Sequence, residues 1–269
     1  MKTKFIISTS LGLMLTPFLC GAQVLTDFES FTAPGANGGI MFRTPNVSGS
    51  TSPKIEIAPA PLIAQVRNVG IPAGNPNVGA NALYASWNFV DSGQAPLWVR
   101  FTTDSASNPL GRPTISLGAG TGLQFDIWTD HALYLSTLIR ETETDAAFGA
   151  NGGATGSIEF LGGTPSAASG NRGVAIAANT WTTVLFQFQN PLVTPVSGFT
   201  GNGVLDPGAD GKGVLESLGL AFDDSAENRN SDINLWVDNF AVVAVPEPGA
   251  FSLALLGAGA LFAMRRSRK

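Results

Sequence analysis

The sequence predicts an all-β protein built as a sandwich of many short strands. Its apolar residues recur with a period of two or in short continuous runs, rather than with the 3.6-residue period of a helix. Glycine and proline, 32 and 17 residues of 269, supply frequent turns. Charged residues make up only 13%, about half the ~25% of typical soluble domains. This composition excludes a coiled coil, a long-helix protein and a charge-rich disordered chain.

About ten short strands in one unit of ~220 residues are typical of a jelly-roll-like β-sandwich. No 20–50-residue repeat and no break in composition divides this unit. We therefore predict three parts: a signal peptide over 1–22, a sandwich domain over 23–244 and a sorting and membrane segment over 245–269. The predicted strands cover 24–31, 54–58, 62–67, 82–90, 97–103, 114–117, 123–129, 133–140, 157–161, 181–189, 215–222 and 233–243.

The first 22 residues have the three parts of a secretory signal peptide. Lysines in the first four residues precede an apolar run over 5–19, and the small Ala22 suits the position before cleavage. We therefore expect signal peptidase to be a partner and Gln23 to begin the mature chain. Cys20 is the only cysteine and leaves with the signal peptide, so no disulfide stabilises the exported domain.

The net charge of the exported domain narrows its partners. Residues 23–245 carry 9 Lys and Arg against 19 Asp and Glu, a net charge of −10, whereas the whole chain has −5. The difference arises because the two ends hold six basic residues and one acid. Such an acidic domain is a poor match for nucleic acid or an anionic membrane surface. Divalent cations and neutral polysaccharides remain compatible with it.

Short motifs in the first, middle and last strands resemble those of carbohydrate-binding-module-like jelly rolls, the galactose-binding-like sandwiches. These motifs are Asp27-Phe28-Glu29 at the start, Trp181-Thr182-Thr183-Val184 in the middle and Leu235 to Phe240 near the end. The resemblance implies that the terminal strands lie side by side and that acids there hold a structural calcium. It also makes exopolysaccharide a candidate partner.

Three carboxylates are the candidate ligands for that calcium. Asp27 and Glu29 are two residues apart and so share one face of a strand, and Asp238 can meet them from the neighbouring strand. Three close carboxylates repel one another unless a hard cation neutralises them, and calcium takes oxygen ligands. The alternative is that these are ordinary solvent-facing acids.

Support for an enzyme is thin, and we predict a non-enzymatic protein. His131 is the only histidine and stands in a predicted turn, and no Gly-x-Ser-x-Gly turn is present. Glu141 and Glu143 share one face of an extended segment and could supply the two carboxylates of a glycosidase, but solvated charges explain them equally well. The alternative function is therefore a secreted polysaccharide-active enzyme, a glycoside hydrolase or lyase.

Five tryptophans offer either core packing or a platform for sugar rings. The sequence leaves open which of them would be exposed. They are Trp87, Trp98, Trp128, Trp181 and Trp236.

The C-terminus combines three features in a fixed order. Pro246, Glu247 and Pro248 precede a 16-residue apolar run over 249–264, about 24 Å long as a helix. Basic residues just after such a run resist translocation and remain cytoplasmic. The segment is therefore predicted to be a membrane helix with its end in the cytoplasm. The basic residues of this cytoplasmic anchor are Arg265, Arg266, Arg268 and Lys269.

This tail resembles the PEP-CTERM sorting signal of Gram-negative bacteria. The resemblance implies that an exosortase, a membrane cysteine protease, cleaves near the Pro-Glu-Pro motif and transfers the protein to the cell surface or the exopolysaccharide matrix. The two prolines suit a cleavage site because they hold the backbone extended. We therefore predict a precursor tethered to the inner membrane that becomes an exported surface or extracellular-matrix protein, with polysaccharide as a candidate partner.

Overall fold

The structure is a computed structural model. It describes residues 22–31, 41–45, 63–76, 79–89, 97–103, 113–118, 120–141, 158–165, 171–189, 192–195, 201–206, 211–229 and 231–245. Thirteen strands and no helix lie within these residues, which confirms the all-β prediction. The predicted strand over 54–58, nearly all of the signal peptide and the predicted C-terminal helix lie outside them.

The strands form two antiparallel sheets. The six-stranded sheet has the order β10-β6-β13-β3-β2, with β1 also paired to β13. The seven-stranded sheet has the order β11-β8-β7-β12-β4, with β5 also paired to β12 and β9 to β7. The strands are β1 Gln23–Thr26, β2 Ile63–Arg67, β3 Ala82–Asn88, β4 Leu97–Thr102, β5 Thr114–Ser116, β6 Thr121–Thr129, β7 Leu133–Arg140, β8 Ile158–Leu161, β9 Val174–Ile176, β10 Thr182–Gln187, β11 Val193–Pro195, β12 Lys212–Phe222 and β13 Asp232–Ala244.

Eight of these strands have the connectivity of a jelly roll. They are β3, β4, β6, β7, β8, β10, β12 and β13. The chain passes from one sheet to the other between β3 and β4, between β6 and β7, and between β12 and β13. As a result β13 lies between β3 and β6 in one sheet, and β12 lies between β4 and β7 in the other. Two interlocked Greek keys produce this order, so the predicted jelly-roll-like sandwich is confirmed.

The core consists of the inward-facing residues of both sheets, and phenylalanine dominates its centre. The rings of Phe125 and Phe240 stack with centroids 4.5 Å apart, and those of Phe42 and Phe101 do the same. Phe42 and Phe240 join the two pairs at 5.4 Å. Burial of each such side chain stabilises the fold by ~1.5–3 kcal/mol.

Strand β13 is the centre of the six-stranded sheet. One of its edges pairs with β6, whereas the other pairs first with β3 and then with β1. Gln23 pairs with Val242, so the first strand lies against the end of the last strand, as the resemblance to carbohydrate-binding modules implies.

Candidate functional site: the outer face of the six-stranded sheet

The outer face of the six-stranded sheet carries aromatic, amide and carboxylate side chains in a regular pattern. In β13 these residues alternate with the core residues Ile233, Leu235 and Val237, since successive side chains of a strand point to opposite faces. In β6 they alternate with Phe125 and Ile127. The outward set is Asp232, Asn234, Trp236 and Asp238 from β13 with Asp126 and Trp128 from β6, followed by Asp130.

Four aromatic residues form a line across the strands of this face. The register places Trp236 opposite Tyr84 of β3 and opposite Trp128 of β6. Trp181 continues the line beside Trp128, because the next residue, Thr182, pairs with Ile127. The ring centroids of Tyr84 and Trp236 lie 4.9 Å apart. We call Tyr84, Trp236, Trp128 and Trp181 the aromatic row.

The loop over residues 68–76 crosses the aromatic row. Gly70, with φ +75°, lies against Trp236, which retains only 4% of its exposure. The indole Nε1 of Trp181 donates a hydrogen bond to the carbonyl of Pro72 at 3.0 Å. Tyr84, Trp128 and Trp181 remain partly exposed, so the row offers ring edges and faces on both sides of the loop.

An amide–carboxylate network borders one side of the row. The carboxylate of Asp130 accepts hydrogen bonds from the backbone N–H of Asn234 at 2.8 Å and from its Nδ2 at 2.5 Å. The hydroxyl of Tyr84 donates to Oδ1 of Asn234 at 2.5 Å. His131 Nδ1 lies 2.7 Å from Asp130 Oδ1. The network fixes the Tyr84 ring and leaves polar atoms beside it.

Two buried carboxylates border the other side of the row. Asp126 and Asp238 are directly opposite each other on β6 and β13, and both are almost fully buried. Thr183 Oγ1 donates to Asp126 at 2.5 Å, and Asn75 Nδ2 donates to Asp238 at 3.0 Å. Asn239 donates to both, through Nδ2 to Asp126 at 3.2 Å and through its backbone N–H to Asp238 at 2.7 Å.

The electrostatic character of this face is negative. Its strands present four aspartates, counting Asp130, against Arg67, whose guanidinium carbon lies 3.6 Å from the centroid of the Tyr84 ring. Arg67 therefore covers the aromatic end of the row as a cation–π partner. Such a face suits a ligand with apolar C–H surfaces and many hydroxyls, because aromatic faces take the former and fixed amides and carboxylates take the latter.

The three predicted calcium ligands have separate hydrogen-bond partners. Asp27 Oδ1 accepts from the backbone of Glu29, Glu29 Oε1 accepts from the backbone of Asn81, and Asp238 lies within the network just described. Within the residues that the structure describes, no three His, Cys, Asp or Glu side chains form a group that could hold a metal ion. Calcium binding by the chain stays a prediction, for which a calorimetric calcium titration is the direct measurement.

Of the other residues singled out from the sequence, Glu141 lies away from the aromatic row, His131 lies in the network beside it, and the rest lie outside the described residues. Glu141 is buried at the end of β7, where it accepts a hydrogen bond from the backbone of Asp206 at 2.5 Å. His131 stands in a turn, as predicted. Glu143, the Pro-Glu-Pro motif and the basic anchor lie outside the described residues.

The sequence contains a signal for this site that strand patterns alone did not single out. Asp, Trp and Asp alternate over residues 126–130, and Asp, Asn, Trp and Asp alternate over 232–238. Outward positions of a solvated sheet face rarely need tryptophan, because exposure of a large aromatic ring gains no burial. Tyr84 carried no such signal, because only the register of β3 against β13 brings it into line.

The C-terminus of the chain matches a known protein-sorting motif. Residues 244–269 match the PEP-CTERM protein-sorting motif, which confirms the resemblance drawn from the tail. This motif marks an exported, exosortase-processed protein. No curated protein matches the chain.

Solved carbohydrate-binding modules are among the structures to which this chain is similar. The family 11 module of a cellulosomal cellulase of Clostridium thermocellum has 14% identity and a TM-score of 0.41, covering 84% of this chain and 96% of that one. A family 30 carbohydrate-binding module has 13% identity and a TM-score of 0.38, with 76% and 85% covered. An endo-β-1,4-glucuronan lyase of Trichoderma reesei has 10% identity and a TM-score of 0.30, with 78% and 94% covered. Similarity at this level transfers no function to this chain.

The part of the chain that the structure describes contains no helix of the length and apolarity needed to cross a membrane.

Proposed function

We propose that this chain is an exported, non-enzymatic surface or extracellular-matrix protein that binds a neutral polysaccharide along the aromatic row. The observation that carries the proposal is the register of Tyr84, Trp236 and Trp128, which lines up aromatic rings across three adjacent strands. Trp181 extends the line beyond Trp128. Polar groups already held in place border the line on both sides.

The length and charge of the face support a neutral chain as the ligand. Three strand spacings separate the ends of the row, about 14 Å in all, which exceeds the size of one sugar ring. The aspartates around the row repel an anionic polysaccharide, and Arg67 is already stacked on Tyr84. Hydroxyls of a neutral sugar can accept from asparagine amides and donate to carboxylates without this penalty.

Delivery follows from the two ends of the chain. In the proposed route, the signal peptide directs export and the apolar run over 249–264 tethers the precursor in the inner membrane of a Gram-negative cell. The four basic residues after this run hold its end in the cytoplasm. An exosortase then cuts near Pro246, Glu247 and Pro248 and releases the sandwich to the cell surface or matrix.

A glycan array probed with the purified domain, residues 23–245, tests whether the domain binds a polysaccharide and identifies which one. The glycan that it identifies is then titrated by calorimetry against Trp128→Ala and the matched control Leu185→Ala. Leu185 is 40% exposed on the same sheet, away from the aromatic row. We expect about tenfold weaker binding for Trp128→Ala, the loss of ~1.4 kcal/mol of stacking and burial, and unchanged binding for the control. Equal affinities of the two variants for the glycan would show that the aromatic row does not bind it.

The non-enzymatic part of the proposal has its own measurement. Prolonged incubation of the domain with the bound glycan should generate neither new reducing ends nor unsaturated products. Product release that Asp126→Asn abolishes would instead favour the polysaccharide-active enzyme.

A further inference from the structure

Both chain ends leave the sandwich at the same end. Gln23, the first residue of β1, pairs with Val242 near the end of β13. Ala244 is the last residue of β13 and pairs with Thr121, and the backbone N–H of Val245 still donates to the carbonyl of Gly120 at 2.7 Å. The sheet therefore holds the chain up to the residue before Pro246.

The chain between the sheet and the apolar run is very short. Four residue steps separate Val245 from Gly249, where the run begins. A fully extended chain covers at most ~3.3–3.6 Å per residue, so these steps span at most about 14 Å. By contrast, β13 has 13 residues, which gives it a length of roughly 40 Å. The opposite end of the sandwich is therefore farther from the run than the linker can reach.

We propose that, in the membrane-tethered precursor, the end of the sandwich formed around Gln23, Gly120 and Val245 rests against the lipid headgroups. This membrane-facing end includes the exposed residues Ser116 and Gln187: Ser116 lies beside the turn that leads into Thr121, and Gln187 pairs with Gly122. The far end includes the exposed Ala132, in the turn after β6, and Glu227, which precedes β13. The inference rests on the membrane tether of the proposed function.

This orientation has a consequence for processing. The protease must reach the Pro-Glu-Pro motif in the gap of at most about 14 Å between the sheet and the bilayer. Because Val245 is hydrogen-bonded within the sandwich, the fold also protects β13 from the cut. The mature protein thus retains the whole of its central strand.

Fluorescence quenching in vesicles tests the orientation on the full-length precursor. Single cysteines are introduced into a Cys20→Ser background as Ser116→Cys, Gln187→Cys, Ala132→Cys and Glu227→Cys. Each is labelled with the same fluorophore and reconstituted into phosphatidylcholine vesicles that contain a lipid with a nitroxide on its headgroup. We expect strong quenching at 116 and 187 and little at 132 and 227.

A spacer variant provides the matched control. Sixteen Gly and Ser residues inserted between Val245 and Pro246 add a mean reach of about 22 Å, so quenching at 116 and 187 should fall towards that at 132 and 227. Equal quenching at all four positions of the precursor would overturn the orientation alone. Precursor that does not float with the vesicles in a density gradient would overturn the tether, and the orientation with it.

Discussion

Asn239 controls which side chains of β13 face the core. The pairing of β13 with β6 shifts register between Asp238 and Ala241, and Asn239 has a φ of +59°. The core residues before this bulge have odd numbers, up to Val237, whereas those after it, Phe240 and Val242, have even numbers. One extra residue in the strand produces this change of phase. Asn is among the few non-glycine residues that adopt positive φ without large strain.

The effect of a substitution at Asn239 on stability should therefore depend on how easily the new residue adopts a positive φ. Asn239→Gly and Asn239→Val both lose the amide bonded to Asp126, so the difference between them isolates the backbone. We expect the valine variant to have the lower free energy of unfolding by about 1–2 kcal/mol, the cost of positive φ for a residue with Cβ. Urea denaturation of both variants measures it.

Asn88 is the control position, since it lies in β3 with ordinary strand geometry. There the order should reverse, with valine more stable than glycine. Equal free energies of unfolding for Asn239→Val and Asn239→Gly would contradict the inference that the backbone at this position is strained for a residue with Cβ.

At the scale of elements, two buried glutamates hold the segment over residues 201–206 against the sandwich. Glu159 accepts from the backbone N–H groups of Asn202 at 2.5 Å and Gly203 at 3.1 Å, and Glu141 accepts from that of Asp206. The pKa of the Glu141 carboxyl is raised to about 8, chiefly by burial and also by the nearby Asp206 and Glu159, against the lowering effect of the hydrogen bond from the Asp206 backbone. Burial likewise raises the pKa of Glu159.

These shifts predict that stability falls as the pH rises. The folded protein keeps a proton on Glu141 up to about pH 8, whereas the unfolded chain loses it near the usual value of 4.5. The folded state therefore binds more protons across this window, and its free energy of unfolding decreases with pH between these values. Glu141→Gln should flatten the decrease, because glutamine keeps an acceptor for Asp206 without a charge.

Guanidinium denaturation at several pH values between about 5 and 8 measures the slope. The exposed Glu227→Gln is the control and should follow the wild-type slope. A Glu141→Gln curve parallel to the wild type would show that Glu141 does not titrate as described.

At the scale of the whole molecule, the proposed route predicts that the charge of the C-terminal tail controls processing of the precursor. Replacement of its four basic residues by serine should slow processing, because a neutral end no longer resists translocation. The mass of the surface-exposed product, followed over time in a host with an exosortase, measures this. A tail in which lysine replaces the arginines keeps the charge and should mature normally. Normal maturation of the serine tail would contradict the anchoring role of these residues.

Regular strands were predictable, but irregular ones were not. The predicted strands at 97–103 and 133–140 agree with β4 and β7, because both are short, largely apolar segments that are buried along most of their length. The prediction over 24–31 extends too far, since Phe28 has a φ of +59° and β1 ends at Thr26. Strands β9 and β11 escaped prediction because each has three residues that are mostly exposed or partly exposed.

The sequence by itself determined the properties that depend on neighbouring residues. Strand periodicity, turn composition and the three consecutive parts of the tail are local patterns, so the all-β class and the sorting motif could be recognised without coordinates. The alignment of the aromatic row was decided by tertiary structure, because Tyr84, Trp128, Trp181 and Trp236 are far apart in the chain and meet only through strand register. The same distinction holds for Asp27 and Glu29, because Asp27 accepts from the backbone of Glu29 two residues away, whereas Glu29 accepts from the backbone of Asn81, which only the fold brings near.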